Sequence, residues 1–513
     1  MAQTLSNNNF AGFATLTGAA LLGLLALKYN DRAVFTERRE GIPNVPGMPL
    51  FGLMFEQIAK KDRFLDFFLE KVEHMDVMTM YVSVLGLPPR IMTIDPAAVE
   101  HVLKDNFSNY VKGKRSVEMT NDLFGHGIFA ANGEQWRYQR KAASLIFNVV
   151  NFRDFFTGKV FVKELNVMSD RILNKKAEQG EFIDFQDVIY KFTLETFVYL
   201  GFGKQLGALY NNEKVPFATS FDACQHNCFQ RIISPLGSLR EALRPILRPS
   251  ELSATAHIKV IDEFAYGLIA ERKEQLAQGH KYKDLLSRFM SARNPEGQEL
   301  SDKELRDTVL NFIIAGRDTT AQTLSWTIYY LLLHPRVEDK LLAEVNESIP
   351  DEIEKDAPAL YETIKKMAYA HAVFYEVLRL EPVVPSNNKI ALEDDILPDG
   401  THVHKGDQVN WSAYAMGRSK KLWGPDADMF KPERWISPDG ELHRESAAKW
   451  PAFHAGPRVC LGQALATLEG LVALTILLKR YKFALVPGQE IVYSMSLTHP
   501  LKNGLKVFVE KRQ

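Results

Sequence analysis

The residue with most scope for chemistry in this sequence is a cysteine. Cys460 stands in the run Phe453-His454-Ala455-Gly456-Pro457-Arg458-Val459-Cys460-Leu461-Gly462, just ahead of a helical pattern over 463–479. A lone thiol near a C-terminus is usually an inert buried group. The neighbours here favour a thiolate instead. A helix N-terminus and free backbone N–H groups stabilise negative sulfur. Gly456 and Gly462 let the backbone approach a flat ligand. Arg458, two residues from the sulfur, offers a permanent positive charge suited to a carboxylate. These are the needs of a thiolate that donates to one metal while its loop lies under a macrocycle.

Three further constellations could act with it. Ala315-Gly316-Arg317-Asp318-Thr319-Thr320 falls midway along the longest helical pattern. A mid-helix Gly costs about 1 kcal/mol against Ala, and a Thr hydroxyl competes for the carbonyl of the preceding turn. Together they could open a groove, where an acid beside a hydroxyl can relay protons. Taken alone, the hexapeptide could equally be a kink. Glu376 and Arg379 share one helix face at i and i+3, which alone reads as an exposed ion pair. Trp136 and Arg140 share a face at i and i+4.

In this order the motifs resemble the cytochrome P-450 family of haem-thiolate monooxygenases. The Cys460 run is similar to the family's Phe-x-x-Gly-x-Arg-x-Cys-x-Gly loop. Residues 315–320 resemble its oxygen-activation motif, Glu376-x-x-Arg379 its Glu-x-x-Arg, and Trp136-x-x-x-Arg140 its Trp-x-x-x-Arg. The resemblance implies haem b with Cys460 as axial thiolate and Asp318 and Thr319 as proton carriers. It puts Phe453, Gly456 and Gly462 in the loop beneath the ring. Trp136, Arg140 and Arg458 would hold the propionates, with Lys389 as a further candidate. Arg434, in Phe430-Lys-Pro-Glu-Arg-Trp435, would join Glu376 and Arg379 in a buried ionic lock. The family's reaction places one atom of dioxygen in a C–H bond.

Gly127-Ile128-Phe129, Leu397-Pro-Asp-Gly400 and Asn503-Gly-Leu505 look most like the fatty-acid and alkane hydroxylases, which favour the chain terminus. Phe129, Ile313, Val384 and Leu497 are the implied pocket residues, all apolar as a long-chain substrate requires. Ala315 stands where some members carry a haem-esterifying Glu, so non-covalent haem is expected. No Gly-rich phosphate loop or flavin domain is visible. The resemblance therefore implies a separate NADPH-dependent diflavin reductase, with Arg137, Lys141 and Lys431 as candidate docking cations. A sterol, terpenoid or alkane substrate remains an alternative, as does a non-catalytic haem-binding protein, which would have no use for the Asp318-Thr319 pair.

The elements that must position these residues can be read as well. Apolar and polar residues alternate through 77–95 around Leu87-Pro88-Pro89, predicting a hairpin. Asp95-Pro96 then starts a helix. Ser301-x-x-Glu304 is a capping box opening a helix over 302–334, which Pro335 stops. Another helix is expected over 365–380, with short strands and turns over 396–406. The fold class is mainly α with a minor β region: the family's long central helix over the haem, with the Cys loop beneath.

Ahead of this body, Phe10 to Leu27 carries no charge over 18 residues. As helix it measures about 27 Å, just spanning a hydrocarbon core of about 30 Å. Lys28, Arg32, Arg38 and Arg39 follow it, which predicts a cytosolic C-terminal side. The expected organisation is an N-terminal membrane anchor (1–30), a Pro/Gly-rich hinge (31–52) and the catalytic domain (53–513). The resemblance places such a chain in the endoplasmic reticulum membrane with a single-pass N-terminal anchor, the catalytic domain facing the cytosol. Lys plus Arg number 62 and Asp plus Glu 63, a net charge of −1, which argues against a nucleic-acid partner. Three cysteines in 513 residues form no disulfide framework. Cys224 and Cys228, flanking His226, read as ordinary helix residues rather than metal ligands.

Overall fold

The computed structural model describes residues 17–145, 151–210, 215–234, 242–243, 246 and 252–512. Labels below follow chain order. The first layer begins with helix α1 (Phe64–Met75) and the hairpin β1 (Thr79–Val82) and β2 (Arg90–Thr93), paired antiparallel with Thr79 opposite Thr93. Asp95 accepts from the Ala97 amide at 3.0 Å and Pro96 takes the first helical position, as its sequence predicts. β2 runs parallel to a later strand, giving a five-stranded sheet in the order β1-β2-β8-β5-β3. In it are β3 (Tyr110–Val111), β5 (Asn387–Ala391) and β8 (Gln408–Trp411). The Pro/Gly run of 41–52 is stitched to this sheet, with Val45 N–H donating to the Tyr81 carbonyl and Tyr81 N–H to that of Pro43.

The helical layer holds α2 (Lys114–Phe124), α3 (Gly133–Ser144), α4 (Phe185–Phe202), α5 (Pro216–Ile233) and α6 (Ala254–Ala277). The central helix follows as α7 (Asp302–Ile313), a π-helical turn (Ile314–Asp318) and α8 (Thr319–Leu333). Its capping box is formed as expected, Ser301 and Glu304 each satisfying the other's amide. α9 (Ala368–Leu380) and α10 (Gln463–Arg480) pack against α8 in the largest core cluster. A small sheet, β4-β10-β9 (Phe182–Asp184, Lys506–Lys511, Tyr481–Leu485), closes the C-terminus. β6 (Asp395–Ile396) and β7 (His402–Val403) form the short hairpin expected over 396–406. The mainly helical class with minor sheets is as the sequence implies.

The N-terminal expectation fares differently. No helix among the described residues is long and apolar enough to cross a membrane. Residues 10–16 of the predicted span lie outside the described residues. Within the described residues, 17–28 are helical, with Leu21, Leu22, Leu24 and Leu27 exposed.

The π turn is where sequence and structure explain each other. Thr319 Oγ1 donates to the Ala315 carbonyl at 2.6 Å, the back-bond that loosens the i→i−4 ladder, and π turns of this kind concentrate at functional sites. Gly316 has a packing reason the sequence did not suggest. A Cβ there would lie 1.8 Å from the ring of Phe197 on α4, so only glycine lets α4 seat against the turn.

Candidate active site

The Cys460 loop is anchored at both ends. Cys460 N–H donates to the Phe453 carbonyl at 2.8 Å, and Phe453 packs edge-on to Trp450. Gly456 has φ +63°, and a Cβ there would lie 1.9 Å from the Leu103 carbonyl oxygen. Its close backbone approach is thus to the chain's own residues 103–104. His454 holds φ +63° without being glycine, strain of the kind found at functional sites.

Cys460 is exposed, yet burial pushes its thiol pKa up, opposed by the Gly462 amide and the charge of Arg140. A sulfur with open surface but dense surroundings lies on the wall of a recess, not on the outer face. Gly462 supplies the amide that a thiolate needs, as the loop's composition suggests. Leu461 packs against the core cluster containing Ile313 and Ile314, so the loop and the π turn share one neighbourhood.

Beside Cys460 is a knot of cations. Trp136 is buried on α3, with the Arg140 guanidinium 5.8 Å and that of Arg458 4.5 Å from its ring. The indole thus makes cation–π contact with both positive groups. Arg458 donates to the Ala131 carbonyl at 2.8 Å but leaves its Nε unpaired. Two lysines complete the knot. Burial and then Arg458 lower Lys112 to about 8. Burial, Lys112 and Arg458 lower Lys389 to about 6. Lys389 is fully buried with no partner for its Nζ. Burial and then Arg140 depress Arg458 to about 10. His454 is kept neutral, first by burial and then by Lys112 and its neighbours.

Buried cations need an anion, and no carboxylate pairs with Arg140, Arg458, Lys112 or Lys389 among the described residues. A planar macrocycle with a soft-donor metal and two carboxylate arms satisfies every unpaired group at once. Haem b has those features, so the residues present fit it. Lys112 and His454 were missed in the sequence because nothing in their spacing marks them. Lys389, only a further candidate there, is the most starved cation of the set.

Lys389 gives a prediction. The unfolded chain keeps this ammonium protonated to about pH 10.4, while the folded apoprotein releases the proton above about 6. The unfolded state thus binds more protons in that window, and stability must rise with pH across it. Lys389→Met is expected to stabilise the apoprotein at neutral pH and flatten this rise, while weakening haem retention. Urea titrations of wild type and variant at several pH values check it; parallel pH curves would contradict it.

On the other side of the π turn, Asp318 and Thr319 diverge. Thr319 and Ala315 line an apolar cavity of about 280 Å³. Asp318 is buried and lines a separate polar cleft of about 950 Å³. The two residues thus place an acid and a hydroxyl on opposite walls of one helix turn, and Thr498 lines both spaces. The Asp318 carboxylate accepts from Arg317 at 2.8 Å and Gln225 at 2.7 Å. Arg317 is also paired to Asp222 at 2.6 Å. Burial, with Asp222 nearby, raises Asp318 to about 6 despite Arg317. This network was not legible in the sequence, since its partners lie on α5, nearly a hundred residues away. Glu469 on α10 accepts from Thr196 at 2.5 Å and is also bonded to Thr320; burial raises it to about 8.

The ionic lock is formed as expected. Arg379 is bidentate to Glu376 at 2.7 Å for both contacts, and Arg434 Nε reaches Glu376 at 3.0 Å. Trp435 Nε1 and the Lys431 amide also donate to this carboxylate. Arg379 spends its other donors on the carbonyls of Gly417, Ala427 and Met429.

Three of the four expected pocket residues, Phe129, Val384 and Leu497, line the apolar cavity. Ile313 does not: it is fully buried in the core with Phe312 and Leu310. The π turn begins one residue later and rotates Ile314 into the lining instead. Of the docking cations, Arg137 pairs with Glu134 and Lys431 with Asp426. Cys224 and Cys228 are buried beside Phe221, their thiols pushed up mainly by burial to about 12 and about 11.

The cytochrome P450 family model matches residues 43–507. This chain is a cytochrome P450. Cytochrome P450 704B1 of Arabidopsis thaliana is 37% identical over 505 residues, covering 90% of this chain and 94% of the relative. Cytochrome P450 monooxygenase cyp1 of Mycosarcoma maydis is 34% identical, covering 94% and 77%. Cytochrome P450 86B1 of Arabidopsis thaliana is 37% identical, covering 81% and 76%. As a member of the family, this P450 is a monooxygenase that uses haem b with a cysteine thiolate ligand, dioxygen and a reductase partner.

Proposed function

We propose that this P450 hydroxylates a long-chain fatty acid at or near its terminal carbon. Cys460 would ligate the iron, and Arg140, Arg458, Lys112 and Lys389 would hold the propionates. The observation that carries the reading is the paired arrangement at the π turn: an apolar cavity open to Thr319, backed by a polar cleft that reaches Asp318. The cavity walls, with Phe124, Phe129, Ile314 and Leu497, suit an alkyl chain. When bound, haem with a thiolate ligand supplies O–O cleavage, because the thiolate pushes electron density onto iron.

The chain supplies the protons. Asp318 takes them from the polar cleft at its Oδ2, where Gln225 now donates. Thr319 passes them on, which requires its hydroxyl to leave the Ala315 carbonyl. Thr319→Ala is expected to keep NADPH consumption within about threefold while product per NADPH falls about tenfold or more, since positioned proton transfer contributes about 10²–10⁴ in rate. Unchanged coupling would remove the role assigned to Thr319.

Electrons come in this reading from an NADPH-dependent diflavin reductase on the same membrane. The exposed leucines of the 17–28 helix, followed by Lys28 and Arg32, support seating of the N-terminus in the endoplasmic reticulum membrane with the catalytic domain in the cytosol. Ala315 in the cavity wall offers no carboxylate for an ester to haem, which supports non-covalent attachment.

A further inference from the structure

The apolar cavity carries two charged lining residues that neither the proton path nor the haem cations use. Arg90 opens β2 and lines this cavity together with Arg115 of α2. Arg90 is only 8% exposed, and its Nε has no hydrogen-bond partner. Its one side-chain bond is to Gln57, at 3.0 Å, and Gln57 is itself fixed to the Ile233 carbonyl. Burial, and after it the charge of Arg115, lower Arg90 to about 10. Neither arginine has a carboxylate partner among the described residues, and no Asp or Glu is among the cavity's lining residues. Lys112 also lines the cavity but is coupled to Arg458 and so belongs to the haem cations.

A buried guanidinium with an unmade bond calls for an anionic ligand. Thr319 and Ala315 line the same cavity. Leu87, Met92, Val117 and Val384 add apolar lining to it. We infer that Arg90 and Arg115 anchor the carboxylate of the substrate, so that the alkyl end is the part presented at the π turn. This rests on the fatty-acid reading and explains why oxidation falls far from the acid group: the anchor, not the cavity floor, fixes which carbon arrives.

The test compares dodecanoate with methyl dodecanoate, two ligands of one chain length that differ in charge, by the substrate-induced haem difference spectrum of the holoenzyme. Wild type is expected to bind the acid more tightly. Arg90→Gln and Arg115→Gln should each weaken the acid about tenfold and the ester by less than about twofold. Arg90→Gln should also spread hydroxylation over more carbons, and Arg90→Lys should restore part of the acid preference. Arg115 is exposed, so its variant keeps the test available if the buried Arg90→Gln fails to fold. Equal weakening of acid and ester by the folded variants would overturn the anchor. A wild type that prefers the ester would overturn it too, leaving lipid hydroxylation intact. A wild type that binds neither would overturn the fatty-acid reading and the anchor with it.

Discussion

Cys460→Ala is expected to give a folded protein with no carbon-monoxide band of thiolate-ligated haem and no monooxygenase turnover. Folding should survive because the loop does not depend on the sulfur. It is held by the Cys460 amide on Phe453, by Gly456 against Leu103, and by the contact of Arg458 with Ala131. The sulfur itself is exposed, so its removal leaves little cavity in the core. What is lost is the donor. The Gly462 amide and the Arg140 charge favour negative sulfur against the burial that opposes it, and an alanine gives them nothing to stabilise. Difference spectra of the reduced protein, beside NADPH-driven turnover with a diflavin reductase, check this. Retention of the thiolate band in the variant would place the ligand elsewhere.

The second large effect is structural. Glu376→Ala should destabilise the protein by about 3–5 kcal/mol, the usual loss when one member of a buried ion pair is removed. Here the loss strands the guanidinium of Arg379, leaves Arg434 with Asp426 as its remaining carboxylate, and frees Trp435 Nε1 and the Lys431 amide. Against a total stability of about 5–15 kcal/mol, much of the chain would fail to hold haem. The damage is directional: Glu376 ties α9 to residues 431–435, which precede the Cys460 loop. A fall in both the urea midpoint and the haem content is expected. A loss of unfolding free energy below about 1 kcal/mol would show the lock to be dispensable.

The fold was largely legible where short-range chemistry decides it. Ser301/Glu304, Asp95-Pro96 and the alternation over 77–95 each specify local structure with their own side chains, and each forms as read. The chemistry of the Cys460 loop was legible within a few residues of chain, whereas Glu376-x-x-Arg379 alone reads as an exposed pair and its lock with Arg434 was expected only from the family resemblance. Groups recruited from a distance were not. Lys112 and Lys389 meet Arg458 only through the sheet, and Asp222 and Gln225 reach Asp318 from α5. A lysine with no partner looks, in sequence, like any surface lysine. Ile313, assigned to the pocket by the family resemblance, is core, and its neighbour Ile314 at the start of the π turn lines the cavity instead. The expected span at 10–27 lies partly outside the described residues, and its described part is too short to be judged as a span.

Iron X-ray absorption on the haem-loaded wild-type protein tests the central claim most directly. One sulfur neighbour in the first shell of the iron, absent from Cys460→Ala loaded with haem in the same way, is the predicted result. A shell of nitrogen and oxygen alone in the wild type would contradict it.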